Sequence, residues 1–175
     1  FQRTQIDAVL HLAANSMVGE SMQVLFRYIG DNVANTINLL EATVEAGVRR
    51  FVLSSTCAIF GTPDRVPIDE DVAIAPGSPY AESKYLIERI LRWASAAHGL
   101  RYACLRYFNA AGGHPDLPIG EDHTPETHLI PIAFEAALGI RPHLEIHGDN
   151  YDTPDGTCIR DYVHVCDLAD AHIRV

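Results

Sequence analysis

Lysine is almost missing from this chain. Of its 175 residues thirteen are basic, twelve arginines and the single Lys84, against 23 acidic ones, and the formal net charge is −10. No basic run is longer than Arg49-Arg50, so nucleic acid and an anionic membrane are excluded as expected partners. An anionic ligand has to be held locally, by one or two arginines and by helix N-termini. The four cysteines, Cys57, Cys104, Cys158 and Cys166, show no Cys-x-x-Cys and no framework spacing; this points to a reducing compartment, the cytoplasm, rather than a secreted scaffold. No signal-peptide pattern or membrane-spanning run is visible. The histidines form no helical His-x-x-x-His and no Cys/His cluster, and the acidic turn Asp149–Asp155 lacks the spacing of a calcium loop, so no metal is expected.

What is present suits one globular core, with 47% hydrophobic and 21% charged residues. Asp7–Ala14 is a short apolar run ending in small residues, the pattern of a buried parallel strand. A loop over Asn15–Ser21 follows. From Val24 to Ala46, Val33, Ile37, Leu40 and Val44 recur at helical spacing, with Asn32 one residue before the stripe and Gly47 placed to end the helix. Arg50–Thr56 is a second strand that turns polar at its C-terminal end, where α/β sheets bind ligands. Four of the ten prolines fall in Thr62–Pro79, a long loop of the kind that is often functional. A helix runs from Pro79 to Gly99, and Leu100–Phe108 is a third strand. Strand and helix in alternation predict a parallel sheet with right-handed crossovers, an α/β doubly wound architecture. After Asn109 the texture changes to Gly, Pro, His and Asp, with an apolar helix over Leu129–Leu138, an extended segment over Gly156–Val165 and a final helix from Asp167. A second lobe is expected there. Because that helix is under way where the sequence stops, and an apolar run begins a few residues after it starts, a longer protein is expected.

The stretch Ser78-Pro-Tyr-Ala-Glu-Ser-Lys84 concentrates the chemistry. Ser78 is a good N-cap and Pro79 a good first helical residue, which puts Tyr80 and Lys84 four apart on one helix face. A phenol beside an ammonium loses its proton more easily than a free one, making the pair a candidate acid/base near neutrality. The same two residues would also suit a solvated helix face.

These residues and their neighbours resemble the extended short-chain dehydrogenase/reductase family, and most of all its nucleotide-sugar epimerase branch. The matching blocks are His11-Leu-Ala-Ala14, Val18-Gly-Glu-Ser21, Asp31-Asn-Val33, Ser54-Ser-Thr56, Ser78–Lys84, Arg106-Tyr-Phe-Asn109, Gly120-Glu-Asp122, His128-Leu-Ile-Pro131 and Asp155-Gly-Thr-Cys-Ile-Arg-Asp-Tyr-Val-His164. One block of the family is missing: the Gly-x-x-Gly-x-x-Gly turn that lays a cofactor pyrophosphate on a helix N-terminus. The only adjacent glycines are Gly112-Gly113. The resemblance therefore implies that the chain starts near the fourth strand of a truncated Rossmann-like sheet.

By resemblance, residues 1–108 are the C-terminal part of an NAD-binding Rossmann domain. Residues 109–175 are a nucleotide-sugar segment, of which 160–175 return to the first domain. The implied activity is NAD-dependent interconversion of UDP-glucose and UDP-galactose through transient oxidation at sugar C4. Tyr80 is the implied acid/base, Lys84 lowers its pKa and holds the nicotinamide ribose, and Thr56 steadies the sugar hydroxyl with Ser55 as understudy. NAD contacts are assigned to Leu12, Ala13, Ala14, Asn15 and Ser16, to Asn32, to Ser54 and Ser55, to Tyr80 and Lys84, and to Phe108. Without the family, Leu12 and Ala13 would be core, and Asn32 would bond a neighbouring loop. The UDP-sugar is assigned to Thr56, Cys57, Ala58 and Tyr80, and to Asn109, His128, Leu129, Glu145, Ile146, His147 and Arg160. Arg160 would grip the diphosphate; alternatively it pairs with Asp161 or Asp155. A homodimer packed through the helices Val24–Ala46 and Pro79–Gly99 is implied as well. Dehydratases of the same fold place Asp-Glu after the threonine, where this chain has Cys57-Ala58, and the decarboxylase branch has an acidic residue there. A non-catalytic NAD- or nucleotide-sugar-binding relative is the alternative of a different class, against which the retained Tyr80, Lys84 and Thr56 argue.

Overall fold

A computed structural model describes residues 5–175. The chain divides into two units, Phe1–Tyr107 with Arg174–Val175, and Phe108–Ile173. Residues 160–173 group with the second unit.

In the first unit, three apolar stretches become a parallel sheet in the order β1 (Val9–His11), β2 (Arg50–Ser54), β3 (Arg101–Leu105), with Val9 opposite Phe51 and Ser54 opposite Leu105. β2 is central and buried from Phe51 to Ser54, which is why it reads as an unbroken apolar run rather than an alternation. Phe51 and Leu53 pack with Leu40, Ile87, Leu91 and Leu100 into one core. Two backbone bonds carry the pairing past the strand ends, Ser55 N–H to Leu105 O at 2.9 Å and Cys57 N–H to Tyr107 O at 3.1 Å.

Between β1 and β2 the chain forms a one-turn helix, α1 (Val18–Ser21), where a loop was expected, then α2 (Leu25–Ile29), a π-helical turn (Gly30–Ala34) and α3 (Asn35–Glu45). The buried face is not the expected apolar stripe. Tyr28, Asn32, Thr36, Leu40 and Thr43 are buried, whereas Ile37 is exposed and Val33 and Val44 are half-buried. The threonines can go inside because each hydroxyl donates back to its own helix, Thr36 to Asn32 O and Thr43 to Leu39 O, both at 2.6 Å; a threonine satisfied in this way packs like a valine. Gly47, at φ +72°, ends α3 in a Schellman arrangement, with its own N–H on Val44 O and that of Val48 on Thr43 O.

β2 leads into a 3-10 turn (Cys57–Phe60) whose apolar residues gather Ile68, Val72 and Ile74 from the long loop into a satellite core. α4 (Pro79–His98) follows; the Ser78 side chain accepts from Ala81 N–H at 3.2 Å, and Gly99 at φ +68° closes the helix.

The second unit holds a two-stranded parallel sheet, β4 (Asn109–Ala111) with β5 (Tyr162–His164), α5 (Leu129–Ala137) and α6 (Val165–Arg174). α6 begins two residues earlier than expected. No disulfide joins the cysteines, and among the described residues no helix is long and apolar enough to cross a membrane.

Candidate active site

The polar end of β2 and the first turns of α4 meet at the C-terminal edge of the sheet. Ser54, Ser55 and Thr56 are all buried, as is Lys84, while Tyr80 is half-buried. The Lys84 ammonium donates to Ser54 O at 2.8 Å and lies 6.0 Å from the centre of the Tyr80 ring. The Thr56 oxygen accepts the N–H of Ala58 at 3.1 Å, and its side chain stands near enough to the Tyr80 phenol to ease its ionisation. Thr56, Tyr80, Lys84 and Ser54 thus come together as the sequence motif implies.

The electrostatics differ from the sequence expectation. Burial pushes the Tyr80 phenol above its ordinary range; the Thr56 side chain works the other way and nearby Tyr107 adds to the rise. Lys84 is not among the causes of that shift, and burial brings the ammonium itself down to about 8.

Ser55 is no understudy. Its hydroxyl points away from Tyr80 and donates to Glu88 Oε1 at 2.5 Å. Asn32 is also turned inward: its amide oxygen accepts Asn15 N–H at 2.8 Å, and its amide nitrogen donates to Asn15 O and Ser83 Oγ, both at 3.0 Å. It fastens the loop after β1 to α4, and the π-helical turn carrying it is a feature common at functional sites. Leu12, Ala13, Ala14 and Ser16 are exposed, Leu12 by 59%, and Asn15 is half-buried. The core alternative for Leu12 and Ala13 is therefore wrong; they lie past the end of β1 as an open, largely apolar edge.

Two residues here escaped the sequence reading. Tyr107 shares a short hydrogen bond with Ser54 Oγ; its place in the Arg-Tyr-Phe-Asn block, at a strand end level with Thr56, was the available signal. His11 meets Thr36 Oγ1 at 2.8 Å, and since that hydroxyl already donates to Asn32 O, the imidazole is the donor. Burial first, and the Lys84 charge second, lower the His11 pKa and keep it neutral.

In the second unit, Asn109, His128, Leu129, Glu145, Ile146, His147 and Arg160 all line one cavity of about 1600 Å³. Arg160 makes no ion pair among the described residues, neither with Asp155 nor with Asp161; its guanidinium donates to Ile159 O at 2.9 Å. Asn109 is committed to the sheet, donating to Asp161 O from its side chain at 2.8 Å. Phe108 opens this unit, 43% exposed. The segment from Glu121 to His128 brings two Glu-x-His pairs together, with one ligand atom each of Glu121, His123, Glu126 and His128 within 4.8 Å of one another. Each imidazole Nδ1 already faces a carboxylate, His123 that of Glu121 and His128 that of Glu126, so the cluster is satisfied as hydrogen-bonded pairs. Its four residues lie in a loop and not on a helix face, which is why a search for helical spacing passed over them.

A parallel α/β sheet that presents Tyr-x-x-x-Lys beside a strand-end threonine defines a Rossmann-like protein. The model of the NAD dependent epimerase/dehydratase family matches residues 1–175, and the chain belongs to that family. It is 51% identical over 172 residues to the UDP-glucose 4-epimerase of Streptococcus mutans, covering 98% of this chain and 52% of that one. Among solved structures it is similar to UDP-glucose 4-epimerase from Brucella ovis in complex with NAD, with a TM-score of 0.92 and 49% identity over 95% of this chain and 51% of that one. The enzyme from Bifidobacterium longum in complex with NAD+ and UDP has the same TM-score, 0.92, at 37% identity over 98% and 52%. The chain spans about half the length of the curated relatives it matches.

Proposed function

We propose that the protein to which this chain belongs interconverts UDP-glucose and UDP-galactose, with residues 1–108 forming the nicotinamide half of the NAD site and 109–175 much of the nucleotide-sugar site. The observation that carries this reading is Tyr80 beside Thr56, with a buried Lys84 ammonium 6.0 Å from the Tyr80 ring centre. Tyr80 takes the proton of the sugar 4-hydroxyl and gives it back to the 4-keto oxygen when C4 is reduced on its other face, while Thr56 orients that hydroxyl. NAD, when bound, supplies the hydride acceptor and donor and a positive charge next to the phenol. The residues fit such a group: Lys84 has three N–H donors with one on Ser54 O, leaving others for ribose hydroxyls, and the Leu12–Ala14 edge offers an open apolar face. Burial holds Tyr80 protonated in the protein alone, so ionisation awaits that added charge.

For the sugar nucleotide, Arg160 supplies a guanidinium for two parallel bonds to a diphosphate, and the neighbouring cavity residues His128, Leu129 and Glu145–His147 frame the uridine. Cys57 and Ala58 supply no acid or base for expelling a hydroxyl, which favours isomerisation over dehydration. Phe26 and Trp93, 86% and 71% exposed on α2 and α4, support a homodimer seam on these helices, and cysteines without a disulfide support a cytoplasmic protein. The test uses the full-length protein. Addition of UDP-galactose is expected to raise reduced-nicotinamide absorbance and to yield UDP-glucose faster than the N-acetylated pair reacts, and Tyr80→Phe is expected to cut turnover at least ~10³-fold with NAD retained. Turnover by Tyr80→Phe near the wild-type rate would overturn the assignment.

A further inference from the structure

Tyr80, Lys84 and Glu88 follow one another at four-residue intervals on α4, and each meets a different residue at the polar end of β2. Tyr80 lies beside Thr56, Lys84 donates to Ser54 O at 2.8 Å, and Glu88 accepts from the Ser55 hydroxyl at 2.5 Å. Glu88 is 7% exposed, and the proposed chemistry makes no use of it. Its carboxylate is in turn gripped from β3's end by Arg106, whose Nε donates to Oε1 at 3.1 Å and Nη2 to Oε2 at 2.6 Å. The guanidinium lies 5.4 Å from the Phe60 ring centre, on the turn that follows Thr56.

We propose that Glu88 and Arg106 are a positioning pair for the acid/base site: they hold Ser55, and through it set where the Thr56 hydroxyl stands against Tyr80. The inference rests on the acid/base reading of Tyr80. Ser55 is flanked by Ser54 and Thr56, which face Lys84 and Tyr80. The backbone bond from Ser55 N–H to Leu105 O fixes one edge of that residue, and the Glu88 carboxylate fixes its side chain. A carboxylate is required because three donors converge on it: Ser55 Oγ, Arg106 Nε and Arg106 Nη2. A glutamine in its place keeps one oxygen but turns an NH2 towards Nη2, so at least one donor loses its acceptor. Displacement of a catalytic hydroxyl by a fraction of an ångström costs rate without abolishing binding, and a Thr56 hydroxyl further from the phenol leaves it harder to ionise.

The experiment compares Glu88→Gln, Ser55→Ala and Tyr80→Phe in the full-length NAD-containing protein, with UDP-galactose as substrate. Both positioning variants are expected to lose about tenfold in kcat with KM within about twofold, and to shift the alkaline-rising limb of kcat to higher pH. Unchanged kcat and pH profile in variants that retain NAD overturn the proposal, as does a loss that tracks cofactor content and KM with the pH limb unmoved. If Glu88→Gln fails to fold, Ser55→Ala decides alone, because it deletes one hydroxyl and leaves the ion pair. An active Tyr80→Phe defeats the acid/base reading itself. An inactive Tyr80→Phe beside a normal Glu88→Gln defeats only the positioning pair.

Discussion

Lys84→Met removes a buried charge while nearly conserving volume, and the structure says which way stability moves. The ammonium has its pKa lowered from 10.5 to about 8 by burial, a difference of about 2.5 pH units, and at ~1.4 kcal/mol for each the charge costs the fold ~3 kcal/mol at neutrality. Methionine forgoes the 2.8 Å bond to Ser54 O, roughly 1 kcal/mol net. The variant of the cofactor-free protein is therefore expected to be about 2 kcal/mol more stable near pH 7, although turnover is lost, a trade of stability for function. The pH dependence has a definite sign. A lysine with a depressed folded pKa is protonated more in the unfolded chain between about pH 8 and 10.5, so wild-type stability climbs across that window. The methionine variant lacks that climb, and its advantage shrinks and then reverses by about 1 kcal/mol once both states are neutral. Tyrosines and cysteines that titrate there are common to both proteins and cancel in the difference. Urea unfolding at about pH 7 and about pH 9.5 measures it, provided the m-values agree. A variant less stable than wild type at pH 7, or a gap that ignores pH, would refute the reasoning.

Asn32→Ala removes three hydrogen bonds at a site 3% exposed and strands the N–H and C=O of Asn15; a loss of about 3 kcal/mol is expected, with faster hydrogen exchange at the Asn15 amide. Gly61 sits at φ +60°, and a Cβ there would clash with Ala75 O, so Gly61→Ala should cost at least ~2 kcal/mol. Thermal or urea unfolding checks both, and wild-type midpoints would count against the stated contacts.

Much of the first unit can be read from the chain because local rules and packing agree there. The Ser78 cap, Pro79 and Gly99 bracket α4 as expected, and the apolar run Phe51–Leu53 lies in the centre of the sheet. The helix before β2 is different. Its apolar stripe competes with a buried face containing Asn32, Thr36 and Thr43, and hydrophobicity cannot reveal a threonine whose hydroxyl is satisfied on the preceding turn. Nor does spacing register the π-helical turn that brings Asn32 inward. The ionisation of Tyr80 was misjudged for a related reason: a four-residue interval tells which side chains are neighbours, and the pKa depends on how much water both retain.

The division of labour among Ser54, Ser55 and Thr56 follows from two repeats running side by side. Four residues of helix rise about 6 Å, and two residues of strand advance about 6.6 Å, so Tyr80 and Lys84 on α4 can serve Thr56 and Ser54 two residues apart, with the helix returning against the strand direction. Ser55, between them, is taken by the next turn of the same helix, through Glu88. A serine beside Thr56 therefore has no hydroxyl to offer the phenol, because it is committed to the carboxylate one turn beyond Lys84 on α4. A swap of the two side chains, Ser55→Thr with Thr56→Ser, keeps both hydroxyls and their facing; shifting the hydroxyl by one residue, as in Thr56→Ala, leaves Ser55 unable to compensate.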